Sequence, residues 1–465
     1  MRQKARRRRA GSFVCAILAL AAAAAGGSGA RAAPADVCAG PPSILSSVAV
    51  PGLSDLKTFL CGHGVNFYGA YIGEVFGVAA GGARRAAFYD QRVEAGVFVD
   101  LETLAGLRGA SFHANGFAIA GQGATDGAVY NFAAVSNVSA HPALLLFEFW
   151  AEQSLFNGLA SLRVGQLAAD SEFSTSEFDG LFTNATFGWA TLMAADLPSG
   201  GPTYPYATPA ARLLLRPIEG LTLMGAVFNG DPTGAGFDGE PYDFAPRGSR
   251  FGLHGPPFVM AEAAYAYNQS ADAPAPAGRI KFGGWRHFGA FEDQRFDAAG
   301  GLLALSESGA PRMLDGDWGF YGVIDQMLWR KPNDPDFKKG VGVFARVFTA
   351  PSDRNEVSFY ADAGVVTSGL VPGRPDDDFG VALAYTEISA AARGRDEAAA
   401  ARSLYGRRDE IMLEAVYNAL IAPGFNILPV ATYVIHPGAA APQEDGLGLR
   451  LPNALVFGLR AQLSF

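Results

Sequence analysis

Residues able to do covalent chemistry are scattered along this chain rather than assembled. Its six histidines (His63, His113, His141, His254, His287 and His436) show no metal-ligand spacing. No H-E-x-x-H, phosphate-binding loop or nucleophile elbow occurs in its required setting. The sequence therefore leads to a non-enzyme with no cofactor and no metal. A different constellation is present. Glu148, Trp150 and Glu152 alternate in one segment, and Arg163 follows an Asn157-Gly158 turn. Carboxylates and guanidinium groups hydrogen-bond hydroxyls, and aromatic faces pack against C–H groups. Together they suit a small neutral polyol such as a sugar.

These residues need an element that turns alternate side chains the same way, which is a β-strand. The end of the chain carries the clearest example. Leu455, Phe457, Leu459, Ala461, Leu463 and Phe465 form one apolar face, with Val456, Gly458, Arg460, Gln462 and Ser464 on the other. The same alternation sets Val93, Ala95, Val97 and Val99 against Arg92 and Glu94. It sets Leu145, Phe147, Phe149 and Ala151 against Glu148, Trp150 and Glu152. Val341 to Val347 interleave with Arg346, Val357 to Ala363 with Asp362, and Ile411 to Tyr417 with Glu414. Strands that are apolar outside and polar inside describe a water-filled transmembrane barrel. A soluble sandwich gives the same alternation. The terminal Phe465 and the exported character of the chain favour the barrel.

Strands are expected near 65–76, 89–101, 110–121, 144–154, 159–167, 209–216, 221–229 and 258–268. Eight more are expected near 278–288, 319–329, 340–349, 356–366, 379–388, 409–420, 427–436 and 454–465. The fold class is thus all-β: a transmembrane antiparallel β-barrel of about 16 strands with long extracellular loops. Short links (102–109, 155–158, 217–220, 421–426) fall on the periplasmic side. Long links (168–208, 230–257, 289–318, 437–453) fall outside. Two links break that rule, the short outer turn 351–355 and the longer inner link 367–378. Residues 389–403 read as a locally helical or irregular segment of an outer loop, and 269–277 as a Pro/Ala-rich turn. The Asn157-Gly158 turn predicts a hairpin register that sets Glu152 opposite Arg163 and Trp150 opposite Gly165.

The predicted inward set is Glu74, Arg92, Glu94, Glu148, Trp150, Glu152, Arg163, Lys281, Trp285, Arg346, Asp362, Glu414 and Arg460. Charges of both signs stand beside aromatics, whereas an anion channel would show an excess of cations. Segment 168–208 opens with Asp170 and Glu172 and carries Phe173, Phe178, Phe182, Phe187 and Trp189. Two placements are open to it: folded inward to narrow the lumen, or capping other loops outside.

Residues 1–32 read as a cleaved export signal. Arg2, Lys4 and Arg6 to Arg9 precede an apolar stretch from Phe13 too short to span a bilayer, and Ala30-Arg31-Ala32 offers a cleavage site. That segment holds seven Lys/Arg and no Asp/Glu, so the remainder has 29 cations against 45 anions, a net of −16. Such a product repels nucleic acid. Residues 33–64 form a periplasmic lead-in and 65–465 the barrel. Cys15 leaves with the signal, so Cys38 and Cys61 are a disulfide candidate in an oxidising compartment. The expected partners are small sugars, outer-membrane lipid and lipopolysaccharide. Monomer and homotrimer both stay open.

Longer motifs carry a family resemblance. Leu146 to Gln153, Leu162 to Phe173, Asn184 to Trp189, Leu197 to Pro202 and Ala226 to Pro232 look like the carbohydrate-selective outer-membrane porins. So do Gly283 to His287, Asp325-Gln326 and Ile435 to Gly438. The resemblance covers about residues 62–465. It implies a 16-stranded barrel that passes monosaccharides, glucose above all, down a gradient in the outer membrane of a Gram-negative bacterium. It also implies a constriction of arginines, acids and aromatics, a role that falls on Glu148, Trp150, Glu152 and Arg163. The chain departs from the family where Cys61-Gly62-His63-Gly64 replaces a Trp-containing glycine-rich segment. Three alternatives stand beside this reading. One is a general diffusion porin without sugar preference. Another is a barrel adhesin or enzyme, for which no Ser/His pair can be assembled. The third is a secreted glycan-binding sandwich.

Overall fold

The computed structural model describes residues 43–44, 52–233, 240–270, 273, 275–332, 339–399, 406–440 and 450–465. The expected export signal and Cys38 lie outside those residues. Sixteen strands among the described residues form one closed antiparallel barrel in which every strand pairs with its sequence neighbours and β1 pairs with β16. They are β1 Val65–Ala80, β2 Ala87–Asp100, β3 Ala110–Gly121, β4 Ala143–Leu155, β5 Ala160–Leu167, β6 Thr208–Ile218, β7 Leu221–Asn229 and β8 Pro257–Tyr267. The second half comprises β9 Gly278–Asp297, β10 Pro311–Arg330, β11 Gly340–Thr349, β12 Val357–Ser368, β13 Asp378–Ile388, β14 Asp409–Ala422, β15 Phe425–Ile435 and β16 Ala454–Ser464. Helix α1 (Leu53–Gly62) precedes the barrel, and α2 (Leu101–Ala105), α3 (Thr191–Asp196) and α4 (Ala390–Ala399) sit in connections. No helix among the described residues is long and apolar enough to cross a membrane.

Closure removes the unpaired edge that hydrocarbon would punish. The outward face is apolar: Val75, Val93, Phe282, Ile324, Val381, Phe457 and Leu459 are all exposed. The inward face meets protein. At the seam, Glu74 stands opposite Arg460, with Arg460 Nη2 2.6 Å from Glu74 Oε2 and both side chains almost fully buried. The terminal residue extends the seam, since Phe465 N–H donates to Gly69 O at 2.8 Å.

Strand count, topology and the sense of both exceptional links agree with the sequence expectation: 350–356 turns outside and 369–377 inside. Three features differ. First, β9 and β10 each run 20 residues, so the outer link expected over 289–318 shrinks to 298–310. A bilayer needs only about 9–11 residues per strand. The extra lengths project beyond it and lose the apolar alternation that would reveal them. Second, β4 carries a bulge. Ala114 pairs with Phe149 but Gly116 with Leu146, so Phe147 and Glu148 together oppose Asn115. Leu145 and Phe147 therefore turn inward and are buried, not lipid-facing as expected, while Leu144 is exposed. Asn115 Oδ1 accepts the Glu148 N–H left over by the bulge, at 2.9 Å. Third, a register shift after Val357 turns that residue into the interior.

Arg460→Ala would leave the Glu74 carboxylate buried without its cation, at a cost of about 3–5 kcal/mol. The urea midpoint of unfolding should fall clearly, and by less in a Glu74→Gln/Arg460→Met double variant. Equal midpoints for Arg460→Ala and the parent would show that the seam does not depend on this pair.

Candidate permeation pathway

Two outer connections fold into the barrel rather than over it. The longer, 168–207 between β5 and β6, runs along the inner wall towards β14. An irregular backbone in such a place needs partners for every N–H and C=O, and inward strand side chains supply them. Glu262 on β8 accepts from Ser174 N–H at 2.8 Å. Glu414 on β14 accepts from Thr183 N–H at 2.6 Å, Asn184 N–H at 3.0 Å and the Thr183 hydroxyl at 3.0 Å. Arg346 on β11 donates to Thr186 O at 2.8 Å and to the carbonyls of Ser174 and Gly188 at 3.3 Å. Its charge is matched by Asp362 at 2.6 Å and loop Asp179 at 3.1 Å. Lys281 Nζ donates to Thr175 Oγ1 at 2.9 Å. Phe182 and Phe187 pack on Phe344 of the wall, with ring centroids 5.8 and 6.1 Å away. Gly342 makes room for Phe178, whose ring would lie 2.3 Å from an added Cβ.

The second connection, 122–142 between β3 and β4, comes round from the opposite side. Glu410 accepts from Phe132 N–H at 2.9 Å and Ala133 N–H at 2.8 Å. Arg460 donates to Asn137 Oδ1 at 2.8 Å, and the Ser136 hydroxyl donates to Glu74. The two loops meet where Asn137 N–H donates to Thr183 O at 2.8 Å and Ala185 N–H to Ala134 O at 3.0 Å. Nothing in the sequence reading assigned a role to 122–142.

The wall left open belongs to β2 through β6. Along it Arg92, Glu94, Glu152 and Arg163, with Glu172 from the long loop, keep about a fifth of their surface exposed (20, 17, 19, 17 and 18%), whereas Asp90, Glu148 and Arg212 are buried. Glu152, Arg163 and Arg212 lie in one row across β4, β5 and β6. Arg163 grips Glu152 at 2.7 Å and reaches Glu172 of the long loop at 3.5 Å. Arg212, buried behind them, holds Glu172 at 2.7 Å and Glu152 at 3.4 Å. The Arg163 guanidinium lies 3.8 Å from the Trp150 ring centroid. That stack needs Gly165 beside Trp150, because a Cβ there would sit 2.2 Å from Phe149 O. His113 packs 4.9 Å from Trp150 and shares a 2.8 Å hydrogen bond with Tyr68. Arg92 lies over Phe117 and Tyr204, at 4.7 and 5.3 Å. The result is a wall of cations and carboxylates, paired locally and backed by the buried rings of Trp150 and Phe117.

The expected residues thus divide. Arg92 and Glu94 stand together, as do Trp150, Glu152 and Arg163, in the hairpin register read from the turn. Glu148 is inward but buried, accepting from Ala168 N–H at 3.0 Å. Trp285 is buried in a stack with Tyr321. Arg346, Asp362, Glu414 and Arg460 are 1–3% exposed beneath the loops, as are Glu74 and, at 9%, Lys281. Sequence reasoning passed over Arg212, which its alternation with Ala211 and Leu213 could have flagged. It also passed over His113 and Tyr204, for which no local signal exists. Cys61 is disulfide-bonded.

Loop carboxyls feel the burial. Burial pushes Asp179 up to about 7, against the opposing pull of Arg346. Burial also raises Asp170, which accepts from the Thr203 hydroxyl at 2.5 Å. Asp196 on α3 is held well above the carboxylate range by burial, with Asp317 and Glu356 adding repulsion. Its Oδ1 accepts from Glu356 and Val357 N–H, at 2.8 and 3.1 Å, while Oδ2 has no partner among the described residues. That arrangement suits a protonated carboxyl.

The family model of carbohydrate-selective porins, the OprB family, matches residues 84–465. The chain belongs to this family. Among solved structures, the high-pH structure of Pseudomonas putida OprB matches with a TM-score of 0.77 at 21% identity, covering 89% of this chain and 97% of that one. The low-pH structure of Pseudomonas putida OprB matches with a TM-score of 0.52 at 15% identity, covering 92% and 100% respectively. At these identities the likeness is one of fold. No curated protein matches the sequence. In this OprB-family barrel, then, the inward acids and arginines of β8 to β16 serve largely to seat the loops.

Glu414→Ala strips two amides and a hydroxyl of their acceptor, each costing about 1–3 kcal/mol when buried. The long loop should loosen, seen as higher single-channel conductance and noisier open current in planar bilayers. Unchanged traces would rule out this anchor. Asp196 tests the pH response. A carboxyl raised on folding stabilises at low pH, and that contribution is lost as pH rises through its folded value. Thermal stability should decline from acidic towards neutral pH, and Asp196→Asn should flatten that decline.

Proposed function

We propose that the chain is an outer-membrane porin through which monosaccharides, glucose and similar sugars among them, diffuse passively along the β2–β6 wall. The observation that carries this reading is the cluster of Trp150 stacked on Arg163, with Glu152, Glu172 and Arg212 closing the ion pairs. The Trp150 ring, 7% exposed, backs the Arg163 guanidinium and holds it in place, and the exposed ionic groups offer acceptors and donors to hydroxyls. Because each cation is paired, the wall attracts neither sign of ion strongly. Contact with a passing solute is weak and reversible, as permeation requires. The pore-lining set on this reading is Arg92, Glu94, Glu152, Arg163 and Glu172, with Trp150 and Arg212 packed directly behind them. Glu148, Trp285, Arg346, Asp362, Glu414 and Arg460 act one layer back.

Family membership in a carbohydrate-selective group supports sugar as the solute class, and the wall chemistry supports small neutral ones. Residues 1–32 serve as the cleaved export signal on this reading, and outer-membrane lipid and lipopolysaccharide surround the barrel.

Reconstituted into planar bilayers, the protein should show a saturable fall in ion current as glucose is added. Trp150→Ala should weaken that block about two- to fivefold, because Arg163 loses the ring that holds it, an interaction of roughly 0.5–1 kcal/mol. A linear, non-saturating fall that is the same for glucose and an unrelated polyol would instead assign general diffusion without preference.

A further inference from the structure

Helix α1 lies against the outside of the barrel, at the periplasmic ends of β1 and β16. Leu53, Leu56, Lys57 and Leu60, spaced by three and four, form one stripe along it. That stripe faces Phe67, Gly69 and Phe465, and the space between is a groove of about 320 Å³. Ser54, Asp55 and Thr58 occupy the other side of the helix.

The groove is continuous with the lipid-facing surface. Phe67 shares its face of β1 with Tyr71 and Val75, and Phe465 shares its face of β16 with Leu459 and Phe457. Phe67, Val75, Phe457, Leu459 and Phe465 are all exposed outward. Leu53, Leu56 and Phe59 on the helix are exposed as well, by 40, 50 and 61%. In water, three large apolar side chains on ten residues would be left without cover.

The helix is fixed in this place. Gly64 N–H donates to Cys61 O at 2.9 Å and Asp100 N–H donates to Gly64 O at 2.7 Å, tying the end of α1 to β2. Gly64 has φ +81, and a Cβ there would meet Asp100 O at 2.7 Å, so this tie needs glycine. Cys61, the buried residue of the helix, is disulfide-bonded.

We infer that α1 is an interfacial helix and that its groove seats one acyl chain of a phospholipid in the periplasmic leaflet, with the phosphate beside Lys57. An amphipathic helix with its apolar stripe at the headgroup–chain boundary gains from burying that stripe. The ammonium of Lys57, lining the same groove, sits where a headgroup phosphate would emerge. The inference requires that the barrel spans a bilayer and is independent of which solute passes through it.

The test is Leu56→Trp in vesicles of phosphatidylethanolamine and phosphatidylglycerol whose acyl chains are brominated. The fluorescence added by the new indole, over the parent protein, should be blue-shifted and at least halved by the brominated chains. Leu459→Trp, on the lipid-facing side of β16, provides the insertion control in parallel vesicles. If the Leu459→Trp indole is quenched and the Leu56→Trp indole is not, the inference is overturned. Protection from both bromolipid and aqueous acrylamide would identify the chain's own N-terminal segment as the occupant, and would overturn it too. Quenching by acrylamide alone would mean an empty, wetted groove. Single-channel conductance of Leu56→Trp should equal that of the parent, because the residue lies outside the pore. Lys57→Gln in the Leu56→Trp background should reduce quenching by brominated phosphatidylglycerol.

Discussion

A backbone amide cut off from water, by lipid outside the barrel or by packed protein inside it, needs a protein partner, and most of this structure follows from that constraint. It closes the sheet, because an unpaired sixteenth edge would expose a row of donors and acceptors to hydrocarbon. It also governs the interior. Two irregular segments, 122–142 and 168–207, run through the barrel without a ladder of their own. Glu262, Glu410, Glu414 and Arg346 take over the role a neighbouring strand would have played, each meeting one or more main-chain groups of these loops.

This explains why a barrel with so many inward charges is not uniformly wet. On β8 to β16 the charged groups are spent on loop amides and on one another, as in the Arg346–Asp362–Asp179 set. Removing water from such a group is tolerable only because its partners are complete. On β2 to β6 the loops touch the wall at Glu148, Arg212 and the Arg92–Phe117 pair but leave Arg92, Glu94, Glu152 and Arg163 about a fifth exposed. The asymmetry of the pathway is therefore a consequence of which strands the loops lean on. The buried Arg212 links the two regimes. It is covered, yet it holds Glu152 and Glu172 in place for the exposed Arg163.

Local irregularities sharpen the arrangement. The bulge on β4 brings both Phe147 and Glu148 to the interior, so the strand contributes packing for Phe117 and Tyr204 and an anchor for Ala168 just above Trp150. Gly165 opposite Trp150 leaves room for the close approach of β4, because an added Cβ would sit 2.2 Å from Phe149 O and 2.6 Å from Trp150 Cα. Both features are single-residue events with consequences for the whole wall.

The sequence by itself determined the barrel, its strand number and the Glu152–Arg163 register, because side-chain alternation and the Asn157-Gly158 turn are local properties with period two. It also determined which residues of most strands face inward. The order of the chain could not reveal which of those inward residues meet water and which meet a loop. Glu414 and Glu152 read alike in sequence, each an acid alternating with apolar neighbours. One is sealed under Thr183 and Asn184, more than two hundred residues away in the chain, and the other stands at the open wall. Likewise the flipped parity of Leu145 and Phe147 comes from an extra residue accommodated across β3, and the partnership of Arg212 with Glu172 from the path of the loop. Those choices depend on contacts between distant segments, and only the folded barrel makes them.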